Sequence, residues 1–177
     1  YHPLGLDPAA WVFGGLNASK LVSAYDKCKA LLTAGESETA AINAIVLNFD
    51  LRVAGKAADG AVNCVEAIRR LFRMGEPEGA VLGQTLAALT SAWGIAKEAY
   101  GASLVRGVGL YFHENRRTDP RELATALVSR GGPGAPINLI GWAKNLSGLQ
   151  RMPLDRAIAD VIEDRIMKRR SRPRKTA

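Results

Sequence analysis

The chain has 177 residues, a formal net charge of +7, 47% hydrophobic residues and two cysteines, which suits one globular domain with a substantial core or a domain plus a tail. No apolar run approaches the roughly 18 residues of a membrane span, and two cysteines with only two histidines argue against a disulfide scaffold or a metal-ligand set. The opening YHPLGLDP lacks the basic and apolar regions of a signal peptide.

The first predicted helix runs from about Pro8 to Leu16, with Asp7 as N-cap and Pro8 at the first helical position. Asn17 and Ala18 break it. Ser23 caps a second helix with Tyr25, Cys28, Leu31 and Leu32 at helical spacing. Gly35 ends that helix. Ser37 is the expected cap of a third helix, which carries Ala40, Ala41, Ala44, Ile45 and Asn48. Two helices joined by a short break containing Gly outline a helix-turn-helix over residues 24–48. The same outline also fits an ordinary helix pair inside a bundle.

Arg52 to Gly60, RVAGKAADG, reads as a loop. A helix is expected from about Ala61 to Met74, with Val62, Val65, Ile68, Leu71 and Phe72 as its apolar stripe and Arg69, Arg70 and Arg73 near its other side. That cluster is either a solvated face or a contact for phosphate or an acidic partner. Gly75 stops this helix and Pro77 starts the next, which runs to Trp93 with Val81, Leu82, Leu86, Leu89 and Trp93 inward. Gly94 to Gly101 is a break with room for one turn at Ile95 to Ala99. Ser103 is expected to cap LVRGVGLYFHE, where Gly107 and Gly109 lower helix propensity by roughly 1 kcal/mol each and permit close helix packing. GVG has neither a following Lys-Ser/Thr nor a preceding strand, so it is not a phosphate loop.

Asp119 and Pro120 open a helix from Arg121 to Arg130. Gly131, Gly132, Pro133 and Gly134 form the clearest break. Pro136 starts a helix with Ile137, Leu139, Ile140, Trp142, Ala143 and Leu146, ending near Ser147 and Gly148. The last helix begins around Pro153, and Leu154, Ala157, Ile158, Val161, Ile162 and Ile166 form one stripe. It runs into KRRSRPRK. With Pro173 and no apolar residue, that tail is expected to be disordered when free.

Sustained alternation, β-branched runs and hairpin turns are missing from the sequence. The reading is therefore all-α: a compact bundle of about eight helices over residues 1–167, including a candidate helix-turn-helix, followed by a basic tail over 168–177. Cys28 and Cys64 sit in apolar helical patterns and read as small buried residues in a reducing compartment.

Lys168, Arg169, Arg170, Arg172, Arg174 and Lys175 supply six positive charges with no acid among them, which leaves about +1 for the rest of the chain. The high isoelectric point belongs to the tail. Such a tail neutralises phosphates and releases counterions without reading sequence. Ser37, Thr39 and Asn43 on the second helix of the pair are the candidates for phosphates or base edges, flanked by Lys20, Lys27 and Lys29. That second helix carries no Arg or Lys, and Asp26, Glu36 and Glu38 lie close in sequence. DNA is thus the expected partner, with a homodimer or another protein as the alternative. A membrane surface fits poorly, because the last helix has an aliphatic stripe without Trp or Phe and an acidic polar face. No cofactor is expected. No catalytic triad, paired carboxylates or metal spacing is present, so the chain does not read as an enzyme.

Several segments together resemble a known family. AWVFGGLN, KLVSAYDKCKALLTAGES and AINAIVLNFDLRV carry Trp11, Phe13, Leu16, Asn17, Ala34, Gly35, Glu36, Leu51 and Val53 in an order that resembles the region after the ParB/sulfiredoxin-like domain in ParB-like proteins of actinobacteria and their phages. LGQTLAALTSAW, LVRGVGLYFHEN and RAIADVIEDRIMKRRSR extend the resemblance over most of the chain. The resemblance implies DNA association in a bacterial or phage-infected cytoplasm, and helical parts that join protomers or partners. The family's N-terminal nucleotide- or phosphate-handling domain is not among these residues. The start at Tyr1, without an initiator Met, reads as a fragment beginning at a domain boundary.

Overall fold

The computed structural model describes residues 22–132 and 134–168. The expected helix from Pro8 to Leu16 and the basic segment after Lys168 lie outside the described residues. What is described is an all-α bundle with a single pair of very short strands among the described residues.

The first two helices are α1 (Ala24–Thr33) and α2 (Ser37–Leu47). Ser23 caps α1 as expected, its hydroxyl accepting from the Asp26 N–H at 3.1 Å. Gly35 takes a φ of +73° in the connecting turn, a backbone angle that glycine adopts without strain. The cap of α2 differs from expectation. Glu36, not Ser37, is the N-cap, and its Oε2 accepts from the Thr39 N–H at 2.7 Å. A carboxylate here satisfies an orphan donor and also meets the positive end of the helix dipole.

The stretch expected to be only a loop contains β1 (Arg52–Val53), which pairs in parallel with β2 (Ala61–Val62). The helix expected from Ala61 therefore starts later, as α3 (Val65–Met74). Strands of two residues are too short to signal themselves by periodicity. Tertiary contacts supply the reason instead. The Arg52 N–H donates to the Gly60 carbonyl at 2.8 Å and the Gly60 N–H to the Ile95 carbonyl at 2.7 Å. The ladder thereby ties the segment after α2 to the break after the fourth helix.

That fourth helix, α4 (Ala80–Trp93), begins three residues after Pro77, with Gly79 as its left-handed N-cap. A 3₁₀ turn at Lys97–Tyr100 fills part of the Gly94–Gly101 break. It buries Tyr100 completely, and the phenol donates to the Gly94 carbonyl at 2.5 Å. Trp93, expected as a core anchor, is only half-buried.

Helix α5 (Ala102–Glu114) occupies the middle of the bundle. Gly101, rather than Ser103, stands at its N-cap. Its glycines do what close packing needs. A Cβ on Gly107 would lie 2.5 Å from the Cβ and Cγ2 of Ile158, and one on Gly109 would overlap the side chain of Leu71. Both Ile158 and Leu71 are buried.

Asp119 caps α6 (Pro120–Gly131), accepting from the Arg121 N–H at 2.8 Å. Helix α7 (Ala135–Gln150) follows the glycine-rich break, and α8 (Leu154–Val161) continues as π-helical turns through Ile162–Met167. The expected stripe of the last helix is confirmed: Ala157, Ile158, Val161, Ile162 and Ile166 are buried and Leu154 is half-buried. α8 packs against α5 and α7. Arg106 Nε to Asp155 Oδ2 at 3.4 Å, and Arg156 with Glu114, bridge the rim of the α5–α8 contact.

Both cysteines are free and buried. Cys64 is not inside a helix but at the N-cap of α3, its thiol directed at the Tyr100 carbonyl at 3.6 Å. Burial pushes that thiol up to about 11.

Candidate nucleic-acid interface

α1 and α2 are joined by the short turn at residues 34–36, and the surface of the pair decides what it could touch. On α2, Thr39, Ile42 and Val46 are buried against the bundle. The exposed line is Ser37, Ala40, Ala44 and Leu47. Thr39 was expected among the groups reaching DNA, and this is corrected: it is 2% exposed and faces inward. Its place two positions after Ser37 turns it about 200° around the helix, onto the side that α2 must bury. Ser37 is exposed and Asn43 half-buried. Lys27 and Lys29 are both exposed on α1, yet the same rotation of about 200° sends them to opposite sides of that helix. Lys20 lies outside the described residues.

The carboxylates on this side are engaged within the chain, while Lys27 and Lys29 make no ion pair among the described residues. Hydrogen bonding from Thr39 holds the Glu36 carboxyl below the usual carboxylate range. Glu38 accepts from Arg73 Nε at 2.7 Å and Arg73 Nη2 at 2.8 Å, and from Arg69 Nε at 3.1 Å. The bidentate fork of Arg73 comes first among the causes that hold the Glu38 carboxyl low, with Arg69 adding to it. The arginine cluster of α3 therefore has an acidic partner, and that partner is in the same chain. Arg70 remains exposed.

Further exposed arginines lie on another part of the bundle. Arg116, Arg117, Arg121 and Arg130 are exposed and make no ion pair among the described residues. They cluster at the α5–α6 turn and along α6. Two clefts of about 380 and 510 Å³ flank a ridge formed by Arg121, Thr125 and Ser129, which are spaced i, i+4, i+8. Arg130 lines the first cleft together with Glu122, Ile166 and Met167. Its Nη1 donates to the Ile166 carbonyl, and to the Lys168 carbonyl at 3.3 Å. This arrangement fixes the main chain at the start of the basic segment. Lys168 itself pairs with Asp164 at 2.5 Å. Arg169, Arg170, Arg172, Arg174 and Lys175 lie outside the described residues.

In the sequence this surface is masked by the tail, which holds the densest positive charge of the chain. The signal was nevertheless present in RRTDPR at 116–121. Asp119 caps α6 through the Arg121 N–H and offsets one of the three arginines of that stretch.

Among the described residues, no group of three or more His, Cys, Asp or Glu is placed to hold a metal ion, and no helix is long and apolar enough to cross a membrane. Comparison with protein-family models, curated proteins and solved structures finds no match to this chain.

Proposed function

We propose that the chain is a DNA-associated helical module of a ParB-like protein that holds DNA chiefly through its basic C-terminal segment. The observation that carries this reading is the charge distribution. Residues 168–175 hold six cations and no acid, whereas the other residues are close to neutral. The Arg130 contacts with the Ile166 and Lys168 carbonyls support it by fixing where that segment leaves the bundle. Such a segment binds phosphates through counterion release and carries no base preference. In this reading the α1–α2 pair adds little, since the exposed line of α2 offers Ser37 but no cation and the exposed Lys27 and Lys29 point to opposite sides of α1. The setting is the cytoplasm of a bacterial or phage-infected cell, and no catalytic chemistry is assigned.

The test is binding to a mixed-sequence duplex as a function of salt, using the full chain and a variant with the six cations of 168–175 replaced by Gln. Six phosphate contacts give a log–log salt slope of about −5. The variant should lose most of that slope. Equal slopes for both chains would overturn the reading.

A second reading is a protein-interaction or dimerisation domain. It is favoured by one observation: α7 exposes Ile137 at 66% and Leu149 at 83%. The two stand about 18 Å apart along the helix, so a protein partner would have to span most of α7 to cover both. Sedimentation of the full chain over a range of concentrations separates this from the first reading.

A further inference from the structure

We infer that α1 is a hinged cover: it leaves the bundle as a unit, about the turn at residues 34–36, while the other helices stay packed. This holds whatever the protein binds.

Each helix from α2 to α8 is tied to another element by at least one side-chain hydrogen bond or ion pair. Glu38 joins α2 to α3, and Thr90 joins α4 to the Tyr100 phenol. Arg106 joins α5 to α8, Arg130 joins α6 to the Ile166 carbonyl, and Asn138 joins α7 to the Gly131 carbonyl. α1 has no such tie among the described residues. Its side-chain bonds, Ser23 with Asp26 and Thr33 with the Lys29 carbonyl, stay within its own turns. The main-chain bonds that leave it reach no further than Glu36, whose N–H donates to the Leu31 carbonyl at 3.0 Å.

Apolar contact is therefore what holds α1 to the bundle, and there is little of it. Cys28 is its one buried residue, and Ala24, Tyr25 and Leu31 are half-buried. α3, also ten residues long, buries five: Val65, Ala67, Ile68, Leu71 and Phe72. The firmest seat of α1 is the Tyr25 ring, which rests on the backbone at Gly55, where an added Cβ would lie 2.9 Å from Cδ1. Elements with few buried apolar contacts open locally, at a fraction of the free energy of global unfolding.

The connection suits a hinge, with Gly35 at a φ of +73° in its centre. A helix of ten residues does not persist alone in water. Opening therefore melts α1 and releases its amide hydrogens together with the Cys28 thiol. α1 rests on α2 and α3, and the charge of Arg69 reaches the Cys28 thiol. Opening thus also bares the side of α3 that carries Arg69.

The test is thiol labelling of the native full chain at low urea concentrations, with each site mapped by mass spectrometry, beside amide hydrogen exchange. Cys28 reports on α1. Cys64, buried at the N-cap of α3 against the Tyr100 carbonyl, reports on the body. Cys28 should label about a hundredfold faster than Cys64, with a shallower urea dependence because less surface is exposed. The amides of residues 27–34 should exchange correspondingly fast. Ile158→Val, at the α5–α8 contact, destabilises the body alone; it should speed Cys64 about two- to tenfold and leave Cys28 unchanged. Equal urea slopes for the two thiols, or equal acceleration by Ile158→Val, would overturn the inference, because α1 would then leave only on global unfolding. Fast labelling of Cys28 with α1 amides as protected as those of α5 would overturn it as well, since the thiol would be reached without any movement of α1. Labelling of Cys28 at the rate of the unfolded chain would show that α1 is not docked at all, and would equally overturn it.

Discussion

Replacing Gly107 with Ala places a methyl group in the close contact between α5 and α8. The new Cβ would meet the Ile158 Cβ and Cγ2 at 2.5 Å and the Asp155 carbonyl oxygen at 3.0 Å. Those atoms are a branch point close to the backbone and the backbone itself, so neither can rotate out of the way. Overpacking of this kind costs about 1–3 kcal/mol, and the rigid neighbours put it toward the upper end. The helix gains back about 1 kcal/mol from replacing Gly with Ala. The net effect is a loss of about 1–2 kcal/mol, or a fall in Tm of about 2–8 °C for a chain of this length. Gly141 supplies the control. It lies inside α7, and a Cβ there meets nothing within 4 Å. Gly141→Ala should therefore raise Tm by about 2–4 °C through the same propensity term. Thermal and urea unfolding of the two variants beside the parent measure both effects. If Gly107→Ala raised Tm as Gly141→Ala does, the close approach of α5 and α8 would be wrong. Gly109→Ala should cost less than Gly107→Ala, because its nearest neighbours are the terminal carbons of Leu71.

Two further outcomes follow from the charged and thiol groups. Glu38→Gln removes the anchor of Arg69 and Arg73 and should lower Tm at neutral pH. The Glu38 carboxyl is depressed in the folded state, so its contribution is fully present above the ordinary carboxylate value of about 4.3 and fades as pH falls through the lower folded value. The Tm difference between parent and variant should accordingly shrink below about pH 4, and a difference constant from pH 7 to pH 3 would refute the pairing. The Cys64 thiol, buried and pushed up to about 11, should resist a thiol reagent at pH 8 until the chain unfolds. Labelling of the native protein at the rate of a free thiol, mapped to Cys64, would contradict its burial.

Helix positions in this chain were legible because the apolar residues repeat at helical spacing and the punctuation is strong. Asp119-Pro120 opens α6, Ser23 caps α1 and Gly35 closes it, and the stripe from Leu154 to Ile166 faces the core as read. Local chemistry suffices for such elements, since caps and amphipathic faces involve residues within one or two turns. The short parallel pair Arg52–Val53 and Ala61–Val62 was not legible, because it is held by the Ile95 carbonyl some thirty-five residues later in the chain. Glu36 displaced Ser37 as the cap of α2 for a related reason: either side chain could cap locally, and the turn around Gly35 selects which one is in place.

The candidate interface divides along the same line. Sequence alone determined the helical class and the concentration of charge in residues 168–175, because composition and periodicity are properties of the chain itself. Only the tertiary structure decided which cations are spent. Arg69 and Arg73 looked as available as Arg116 and Arg117, but the packing of α2 against α3 brings Glu38 to the first pair and no acid among the described residues to the second. Ion pairing depends on distances of a few ångströms between residues more than thirty positions apart, and that is a quantity only the folded chain possesses.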